Sequence, residues 1–352
     1  MNAINDVKPA TMLRDLWYFA LPASELVAGR MRHKTILGEP IVFGRDKDGK
    51  AFALRDICPH RGVPLSAGRM IGGEIECPYH GWRFQPHGQC SLIPSLVEGQ
   101  DLDASRIRVR SYQIHEESGL VWIYMRENDR QPEPAPAPPR IPVAAGARPR
   151  LIEAQDFPCA VDHAVVGLMD PAHGPFVHNS WWWRGKTKPY PKAKQFEPSS
   201  LGFTMVSHKP STNSLLYRIL GGDLKTEISF SLPGLRIEHI RAGRYDVVGV
   251  TAVTPLEENL TEVTQTFFWT LPWLTLALPV LKPIAKTFLG QDRDMVILQQ
   301  RGLRFNPPLM LIRDADVLAM WYYRLKKEWQ ESKGERRDFV NPVTASTLRW
   351  KS

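Results

Sequence analysis

Two short stretches decide the fold: Cys58-Pro59-His60-Arg61-Gly62 and Cys77-Pro78-Tyr79-His80-Gly81. Each supplies one cysteine and one histidine, and the glycine and proline around them predict loops. Two thiolates and two imidazoles are a ligand set for one metal centre. Structural zinc usually takes like ligands in pairs, whereas a [2Fe–2S] cluster with two Cys on one iron and two His on the other suits mixed loops. The pattern therefore favours the cluster, with structural zinc as the alternative.

The segments around these loops predict a small antiparallel β domain over residues 14–127. Short β-prone runs occupy residues 41–43, 51–54, 107–109 and 120–124, and Gly, Asp and Pro separate them. Residues 132–139 contain five prolines, which favour an extended polyproline path. We therefore expect a linker over residues 128–140.

Residues 141–352 predict a second domain of mixed type. Residues 245–253 and 261–271 alternate between apolar and polar side chains around the turn-like residues 255–259, which indicates a hairpin. Residues 289–305 and 315–331 have the spacing of helices. The expected fold class is therefore α+β, with an antiparallel sheet and packed helices.

Composition excludes several classes of protein. The 352 residues exceed what one core usually supports, and 43% hydrophobic with 23% charged residues rule out a mainly disordered or fibrous chain. The net charge is +8, yet no long block of like charge occurs, so we expect no nucleic-acid partner. Four cysteines do not make a disulfide scaffold, and residues 1–15 lack the apolar core of a secretory signal. A cytoplasmic location is therefore expected.

Residues 263–281 raise the question of a membrane span. They carry no charge and are long enough to cross a bilayer as a helix. Pro272 and Pro279 interrupt the stretch, and its first half alternates like a strand. We expect a buried strand followed by an apolar loop, and at most peripheral contact with a membrane.

The motif C-x-H followed by C-x₂-H resembles that of Rieske proteins. With its long C-terminal portion, nearly the whole chain resembles the catalytic (alpha) subunit, or terminal oxygenase component, of Rieske non-haem iron oxygenases. The resemblance implies that Cys58 and Cys77 hold one iron of the cluster, while His60 and His80 hold the iron that changes oxidation state. It also implies that the second domain is a helix-grip (START-like) catalytic domain.

The segment Asp170-Pro171-Ala172-His173-Gly174-Pro175-Phe176-Val177-His178 offers two more histidines. Side chains five apart on a regular helix point about 140° apart, so His173 and His178 would share no face. We expect Gly174 and Pro175 to break the helix and let the two imidazoles converge. The family's D-x₂-H-x₄-H pattern matches here, which implies that His173 and His178 bind a mononuclear iron.

The third iron ligand is expected from residues 291–300, which resemble the family's late helix with an acidic ligand before a Gln pair. The resemblance implies Asp292, which lies seven residues before Gln299 and shares a helix face with it. Asp294 is the alternative. Whichever of the two is not a ligand is expected to be an exposed helix charge.

Asp170 has a separate expected role. It lies three residues before His173, where its carboxylate can accept from the imidazole's other N–H. The resemblance implies a head-to-tail ring, usually a homotrimer, in which Asp170 links His173 to His80 of the partner subunit. A helix-capping role before Pro171 is the alternative. Family members often carry Asn where this chain has Gly167.

The weaker candidates all have structural alternatives. Val165, Leu168 and Met169, like the Trp-Trp-Trp-Arg run at residues 181–184, are expected either to wall a substrate channel or to pack in the core. Cys90, Cys159 and His163 have no partner pattern. Four basic residues near the loops are expected either to attract an acidic electron donor or to form a solvated rim: Arg61, Arg69, Arg83 and His87.

The resemblance implies a mono- or dioxygenase. Because the chain has no Gly-rich dinucleotide fingerprint and no plant-type Cys run, we expect a separate ferredoxin or reductase as electron donor. The mononuclear iron would activate O₂ to hydroxylate, or oxidatively demethylate, a hydrophobic cyclic substrate. The apolar residues 266–281 indicate a hydrophobic channel, and the basic excess fits an acidic redox partner better than an anionic substrate.

Two other functions are open on the sequence alone. A Rieske electron-transfer protein would need only the first 127 residues, and a lipid- or sterol-binding module would need no iron. Iron content separates the three, because the oxygenase needs the two cluster irons and a third, the electron carrier needs two, and the binding module needs none.

Overall fold

The computed structural model describes residues 2–3, 12–128, 135–178, 180, 190–210 and 223–352. The chain divides into two compact units. The first is Arg14–Arg140, and the second combines Met1–Leu13 with Ile141–Ser352. Of the expected linker, residues 129–134 lie outside the described part, and residues 135–140 form neither helix nor strand.

The first unit is built from two antiparallel sheets. A two-residue strand of the second unit, β1 (Asn2–Ala3), precedes it in the chain. The strands of the first unit are β2 (Leu16–Pro22), β3 (Arg32–Ile36), β4 (Glu39–Arg45), β5 (Ala51–Arg55), β6 (Arg69–Ile71), β7 (Glu74–Glu76), β8 (Arg83–Phe84), β9 (Cys90–Leu92), β10 (Ser111–Glu117) and β11 (Leu120–Met125). The larger sheet has the order β2-β11-β10-β5-β4-β3, and the smaller has the order β6-β7-β8-β9. One-turn 3₁₀ helices lie at Ala23–Glu25, Leu65–Ala67 and Ala104–Arg106.

The apolar core of this unit reaches the two cysteine–histidine loops. Val42 and Leu54 of the larger sheet pack in one core with Ile75 of the smaller, and the same core includes Cys58 and Cys77. The expected strand at residues 107–109 is wrong. The pairing there is limited to an isolated bridge between Arg108 and Gln89, with backbone hydrogen bonds from Cys90 to Ile107 and from Val109 to Gly88 on either side of it.

The second unit is a long antiparallel sheet covered by helices. Its elements are β12 (Leu151–Phe157), α1 (Val161–Met169), α2 (Gly174–Val177), β13 (Pro191–Ser199), β14 (Gly202–His208), β15 (Leu224–Ser231), β16 (Leu235–Ala242), β17 (Tyr245–Glu257), β18 (Leu260–Trp269), α3 (Pro272–Leu276), α4 (Leu278–Leu303), β19 (Met310–Leu311), α5 (Val317–Glu335) and β20 (Ser346–Lys351). The sheet order is β12-β18-β17-β16-β15-β14-β13-β20, and β1 pairs with β19. The expected α+β class is confirmed.

The predicted hairpin and both predicted helices are present, with shifted ends. β17 and β18 pair antiparallel, but β17 runs through Pro255 with an irregularity before Glu257, so the turn is shorter than expected. Helix α4 begins at Leu278 rather than at 289. Pro279 does not prevent this, because a proline in the first helical turn needs no amide hydrogen.

Residues 263–281 form a strand followed by helices rather than a strand and a loop. They comprise most of β18, all of α3 and the first residues of α4. The expected apolar loop is therefore wrong, since Pro272 and Pro279 each sit where a helix begins. Among the described helices, none combines the length and the apolarity that a membrane crossing requires.

A buried ion pair joins α1 to α5 above the sheet. Lys326 Nζ on α5 donates to the two carboxylate oxygens of Asp162 on α1, at 2.6 and 2.8 Å, and the Tyr322 hydroxyl donates to the same carboxylate. Trp321 packs against Phe196 and Phe203 of the sheet. These contacts fix the helix that leads into the segment 170–178.

Candidate metal centres

The two cysteine–histidine loops have the same backbone hydrogen bonds. In each, the Cys N–H donates to the carbonyl five residues later, at 2.9 Å for Cys58 and 2.8 Å for Cys77. The glycine four residues later, Gly62 or Gly81, donates back to the Cys carbonyl at 2.9 or 3.1 Å. Both glycines have positive φ, +74° and +68°, a conformation that costs other residues free energy. The repeated sequence pattern therefore folds into two matching turns.

The four candidate cluster ligands lie together at the ends of these turns. The Cys58 and Cys77 thiols are buried, and the ring centroids of His60 and His80 are 4.5 Å apart. Burial and the adjacent Cys77 thiol raise the pKa of Cys58 to about 11, although the His60 and Arg61 amides act in the other direction. The buried Nδ1 of His60 has no hydrogen-bond partner among the described residues. A buried nitrogen without a hydrogen-bond partner fits a metal ligand better than a packing residue.

Trp82 is a residue of this site that the sequence reasoning missed. Its ring stacks on His60 at a centroid distance of 4.6 Å and an angle of 4°, which fixes the plane of that imidazole. The available signal was its position directly after Gly81. Of the expected basic rim, Arg69 and Arg83 both pair with Glu76, which offsets part of their charge.

The second pair of histidines flanks a single helical turn. His173 is the N-cap of α2 and His178 is its C-cap. The expectation that Gly174 and Pro175 break a helix is wrong, because both lie inside α2, where proline is tolerated in the first turn. The breaks lie before His173 and at His178, and they turn both imidazoles to one side.

Asp292 on α4 completes a three-residue cluster with these histidines. Its Oδ1 lies 3.5 Å from His173 Nε2 and 3.3 Å from His178 Nε2, and the two Nε2 atoms are 3.2 Å apart. All three ligand atoms lie within 4.8 Å of one another, a set that can hold one metal ion. Asp294 is exposed.

Gln291 orients His178, and the sequence reasoning missed this role. His178 Nδ1 is 3.1 Å from Gln291 Oε1, and Gln291 Nε2 donates to Ser180 Oγ at 3.0 Å. With the amide oxygen as acceptor, the His178 hydrogen is on Nδ1, which leaves the Nε2 lone pair facing Asp292. Phe288 stacks on the same ring at 3.7 Å. The one sequence signal for the role of Gln291 was its position directly before Asp292.

The two histidines differ in proton affinity. Burial alone would lower the pKa of His173, but the Asp170 and Asp292 carboxylates outweigh it and raise that pKa to about 9. Burial lowers the pKa of His178 despite the neighbouring Asp292. The carboxylates therefore act mainly on His173.

Asp170 lies beside His173 at the end of α1. Its Oδ2 is 3.6 Å from His173 Nδ1, a buried nitrogen with no hydrogen-bond partner among the described residues. Its Oδ1 accepts from the Ala172 N–H at 2.7 Å. The carboxylate therefore closes the turn after α1 instead of capping α2, whose N-cap is His173.

A cavity of about 360 Å³ opens beside this cluster. His173, Asp292 and Asp170 face it together with apolar side chains that include Leu168, Val263 and Leu289. Of the expected channel residues, Val165 is core, Met169 does not line this cavity, and residues 181–184 lie outside the described part of the chain. The expectation for residues 266–281 is wrong, because Trp269, Leu271 and Leu274 pack in a separate core with Ala285.

Comparisons with known proteins identify the domain that carries the first candidate centre. A family described as the Rieske [2Fe-2S] domain matches residues 16–113. The oxygenase component of dicamba O-demethylase from Stenotrophomonas maltophilia is 35% identical over 187 residues, 48% of this chain and 49% of that protein. Chlorophyllide a oxygenase from Chlamydomonas reinhardtii is 32% identical over 176 residues, 49% of this chain and 26% of that protein.

Solved structures share the fold of both units. Dicamba monooxygenase bound to dicamba matches with a TM-score of 0.73 and 23% identity over 93% of this chain and 100% of that one. Pseudomonas putida NdmA with caffeine matches with a TM-score of 0.71 and 20% identity over 95% of this chain and 97% of that one. Residues 16–113 therefore form a Rieske [2Fe-2S] domain, and both units share the fold of these solved structures. The sequence matches span half or less of the length of these curated relatives. The relatives' activities are therefore not established for this chain.

The residues of this Rieske protein fit both expected metal groups. The unpaired His60 nitrogen and the adjacent Cys58 and Cys77 thiols fit the [2Fe–2S] cluster. The group of two imidazoles and a carboxylate fits non-haem iron. Gly167 departs from the family's frequent Asn, and a side chain added there would meet no atom within 4 Å. His163 lines the cavity, whereas Cys90 and Cys159 are buried free thiols.

Proposed function

We propose that this chain is the terminal component of a Rieske mono- or dioxygenase that hydroxylates, or oxidatively demethylates, a hydrophobic cyclic compound. One observation carries the proposal: two members of the His173, His178 and Asp292 cluster, His173 and Asp292, line a mainly apolar cavity of about 360 Å³. An iron site that opens on a cavity of this kind can act on a bound organic molecule. A metal site of purely structural use would instead be closed.

In the first unit, Cys58 and Cys77 would hold one iron of the cluster, and His60 and His80 would hold the other. The cluster supplies single electrons when bound. The residues around it set the conditions for that transfer, since the His60 and Arg61 amides donate to the Cys58 sulfur and Trp82 fixes the His60 ring. A separate ferredoxin or reductase would deliver the electrons.

In the second unit, His173, His178 and Asp292 would hold the mononuclear iron, whose open positions supply oxygen chemistry when the metal is bound. Gln291 keeps the His178 hydrogen on Nδ1, so that Nε2 is available to a metal. Leu168, Val263 and Leu289 exclude water and place an apolar substrate beside the site.

Asp170 would couple the two centres across a subunit boundary. Its position 3.6 Å from the unpaired Nδ1 of His173 supports a link from that imidazole to His80 of the partner subunit in a homotrimeric ring. A cytoplasmic location would suit the two buried free thiols outside the site, Cys90 and Cys159. The relatives named as demethylases and oxygenases support the reaction class without fixing the substrate.

Iron content and product analysis test the proposal together. Protein purified without chelator should carry two cluster irons and one further iron per chain, and it should consume O₂ with a matching substrate and an electron donor. Two irons and electron transfer without oxygenated product would favour an electron carrier. Protein without iron would favour a lipid-binding module.

A further inference from the structure

A second cavity, of about 230 Å³, lies on the covered face of the long sheet and is lined by three cationic side chains: Lys192, Lys194 and Arg236. Its remaining wall is largely apolar and includes Phe203 and Phe230. Among the described residues that line it, Asp170 is the only acidic one. The cavity therefore combines an excess of positive charge with aromatic surface.

Strand alternation places two of these cations on the side that packs against helices. Lys192, Lys194 and Phe196 follow one another at every second position of β13, and Phe196 contacts Trp321 of α5. Lys192 Nζ donates to Ser352 Oγ at 2.9 Å, and Lys194 Nζ donates to the Lys209 carbonyl at 3.1 Å. Both acceptors are neutral, and burial lowers the pKa of both amines.

In the same unit, the buried Lys326 is paired with a carboxylate. Lys326 is 5% exposed and bonds both oxygens of Asp162. Among the described Asp and Glu side chains, none forms an ion pair with Lys192 or Lys194. Because partly buried charge costs free energy without a counter-charge, these two amines fit a site completed by an anion from outside the chain.

Two further groups face the same space. Arg236 gives one terminal nitrogen to Glu238 at 3.0 Å, and a guanidinium has five N–H donors in all. Thr226 is 1% exposed, and its hydroxyl has no hydrogen-bond partner among the described residues. A buried hydroxyl without a partner is rare in folded proteins and points to a ligand atom.

The cationic cavity adjoins the proposed catalytic cavity. Leu168, Asp170 and Leu318 line both. A molecule with a ring beside the iron site can therefore extend a polar group past the end of α1 toward Lys194 and Arg236.

We propose that this cavity binds the anionic group, a carboxylate or sulfonate, of a cyclic organic acid that is the substrate. The inference rests on the proposed oxygenase function and names the substrate class for it. The cations would hold the acid group, and the aromatic wall would contact the adjoining ring. The positive charge inside this unit therefore suits an anionic substrate, contrary to the expectation drawn from net charge alone.

Binding measurements on the oxidised holoprotein test this proposal without turnover. Benzoate, phenylacetate and 2-naphthoate would each be compared with the primary amide of the same acid by isothermal titration calorimetry. We expect at least one acid to bind roughly tenfold or more tightly than its amide, because hydrogen bonds to charged groups contribute more than neutral ones. Acids that bind no better than their amides would overturn the proposal.

Substitution of the cations supplies the residue-level test. Lys194→Met and Arg236→Met should each weaken acid binding roughly ten- to hundredfold and leave amide binding unchanged. Lys225→Met and Arg241→Met are matched controls, since these exposed side chains oppose each other on β15 and β16 and do not line the cavity. Equal effects of the two sets would overturn the proposal.

Thermal unfolding separates binding from a structural role. If the cations serve the ligand, Lys194→Met should keep or raise the melting temperature, since it removes a partly buried charge. A lower melting temperature together with unchanged acid binding would assign Lys194 to the fold. If the protein binds the acids but shows no oxygenase activity, the anion site stands and the proposed oxygenase function is rejected.

Discussion

The two candidate metal centres are encoded in different ways. All four proposed ligands of the first lie between Cys58 and His80, in two turns with the same backbone hydrogen bonds. The second takes His173 and His178 from the ends of α2 but Asp292 from α4, more than a hundred residues later. A local pattern therefore specifies the first centre, whereas the second exists only when distant helices pack together.

The residues around the two centres also differ: local backbone conformation controls the first, and packing between distant elements controls the second. Glycines with positive φ shape the cysteine–histidine turns, so the backbone sets the ligand positions there. Side chains set them at the second centre, where Gln291 and Phe288 hold His178. Substitutions should therefore affect one centre without the other, and the following predictions test that independence in order of expected effect.

Cys58→Ser should remove the visible and EPR signals of the cluster and abolish turnover, because a hydroxyl is a poor replacement for a thiolate ligand. The second centre should still bind one iron, measured by metal analysis after gel filtration. A normal Rieske spectrum in this variant would contradict the assignment of Cys58.

Asp292→Ala should lose the mononuclear iron and all turnover while the cluster spectrum stays normal. We expect this because, among the described residues, Asp292 is the one that places a carboxylate within 3.5 Å of both His173 and His178. Asp294→Ala is the matched control, and this exposed residue should be replaceable with little effect. If Asp294→Ala loses the iron and Asp292→Ala keeps it, the choice of carboxylate is wrong.

The sequence predicted what depends on local chemistry and missed what depends on packing. Ligand types and spacing indicated Cys58 and Cys77, and the α+β class followed from hydrophobic periodicity. The roles of Trp82 and Gln291 were missed, because stacking and imidazole orientation depend on neighbours that periodicity does not identify. Residues 266–281 were assigned to a channel by their apolar character alone, although apolar residues pack equally well in a core away from any site.

Asp162→Ala should lower the free energy of unfolding by about 3–5 kcal/mol, because it leaves the Lys326 ammonium buried without its carboxylate. The melting temperature of the second unit should fall, while the cluster spectrum at low temperature should not change. Lys327→Met is the control, since this exposed neighbour should alter stability by no more than about 0.5 kcal/mol. Equal melting temperatures of the two variants would show that the ion pair does not hold α1.

Asp170→Asn should leave both metal centres loaded and the protein assembled, but turnover should fall roughly ten- to hundredfold. The amide keeps the shape of the side chain and removes the charge beside His173. In stopped-flow experiments the cluster should be reduced at the wild-type rate and reoxidised slowly with substrate and O₂. Reoxidation at the wild-type rate, or full activity of a wild-type monomer, would reject the proposed link between subunits.

The smallest expected effects come from alanine substitutions of one glycine near each centre, Gly62 and Gly167. Gly62 has φ +74°, so Gly62→Ala should cost about 1–2 kcal/mol although no atom lies within 4 Å of the added carbon. Gly167 lies inside α1, also with free space, so Gly167→Ala should raise the free energy of unfolding by up to about 1 kcal/mol, because alanine is the better helix former. Calorimetry should therefore give shifts of opposite sign, and bleaching of the cluster absorbance should occur at a lower temperature only in Gly62→Ala. Shifts of the same sign would mean that backbone conformation does not distinguish the two centres, and that side-chain packing controls both.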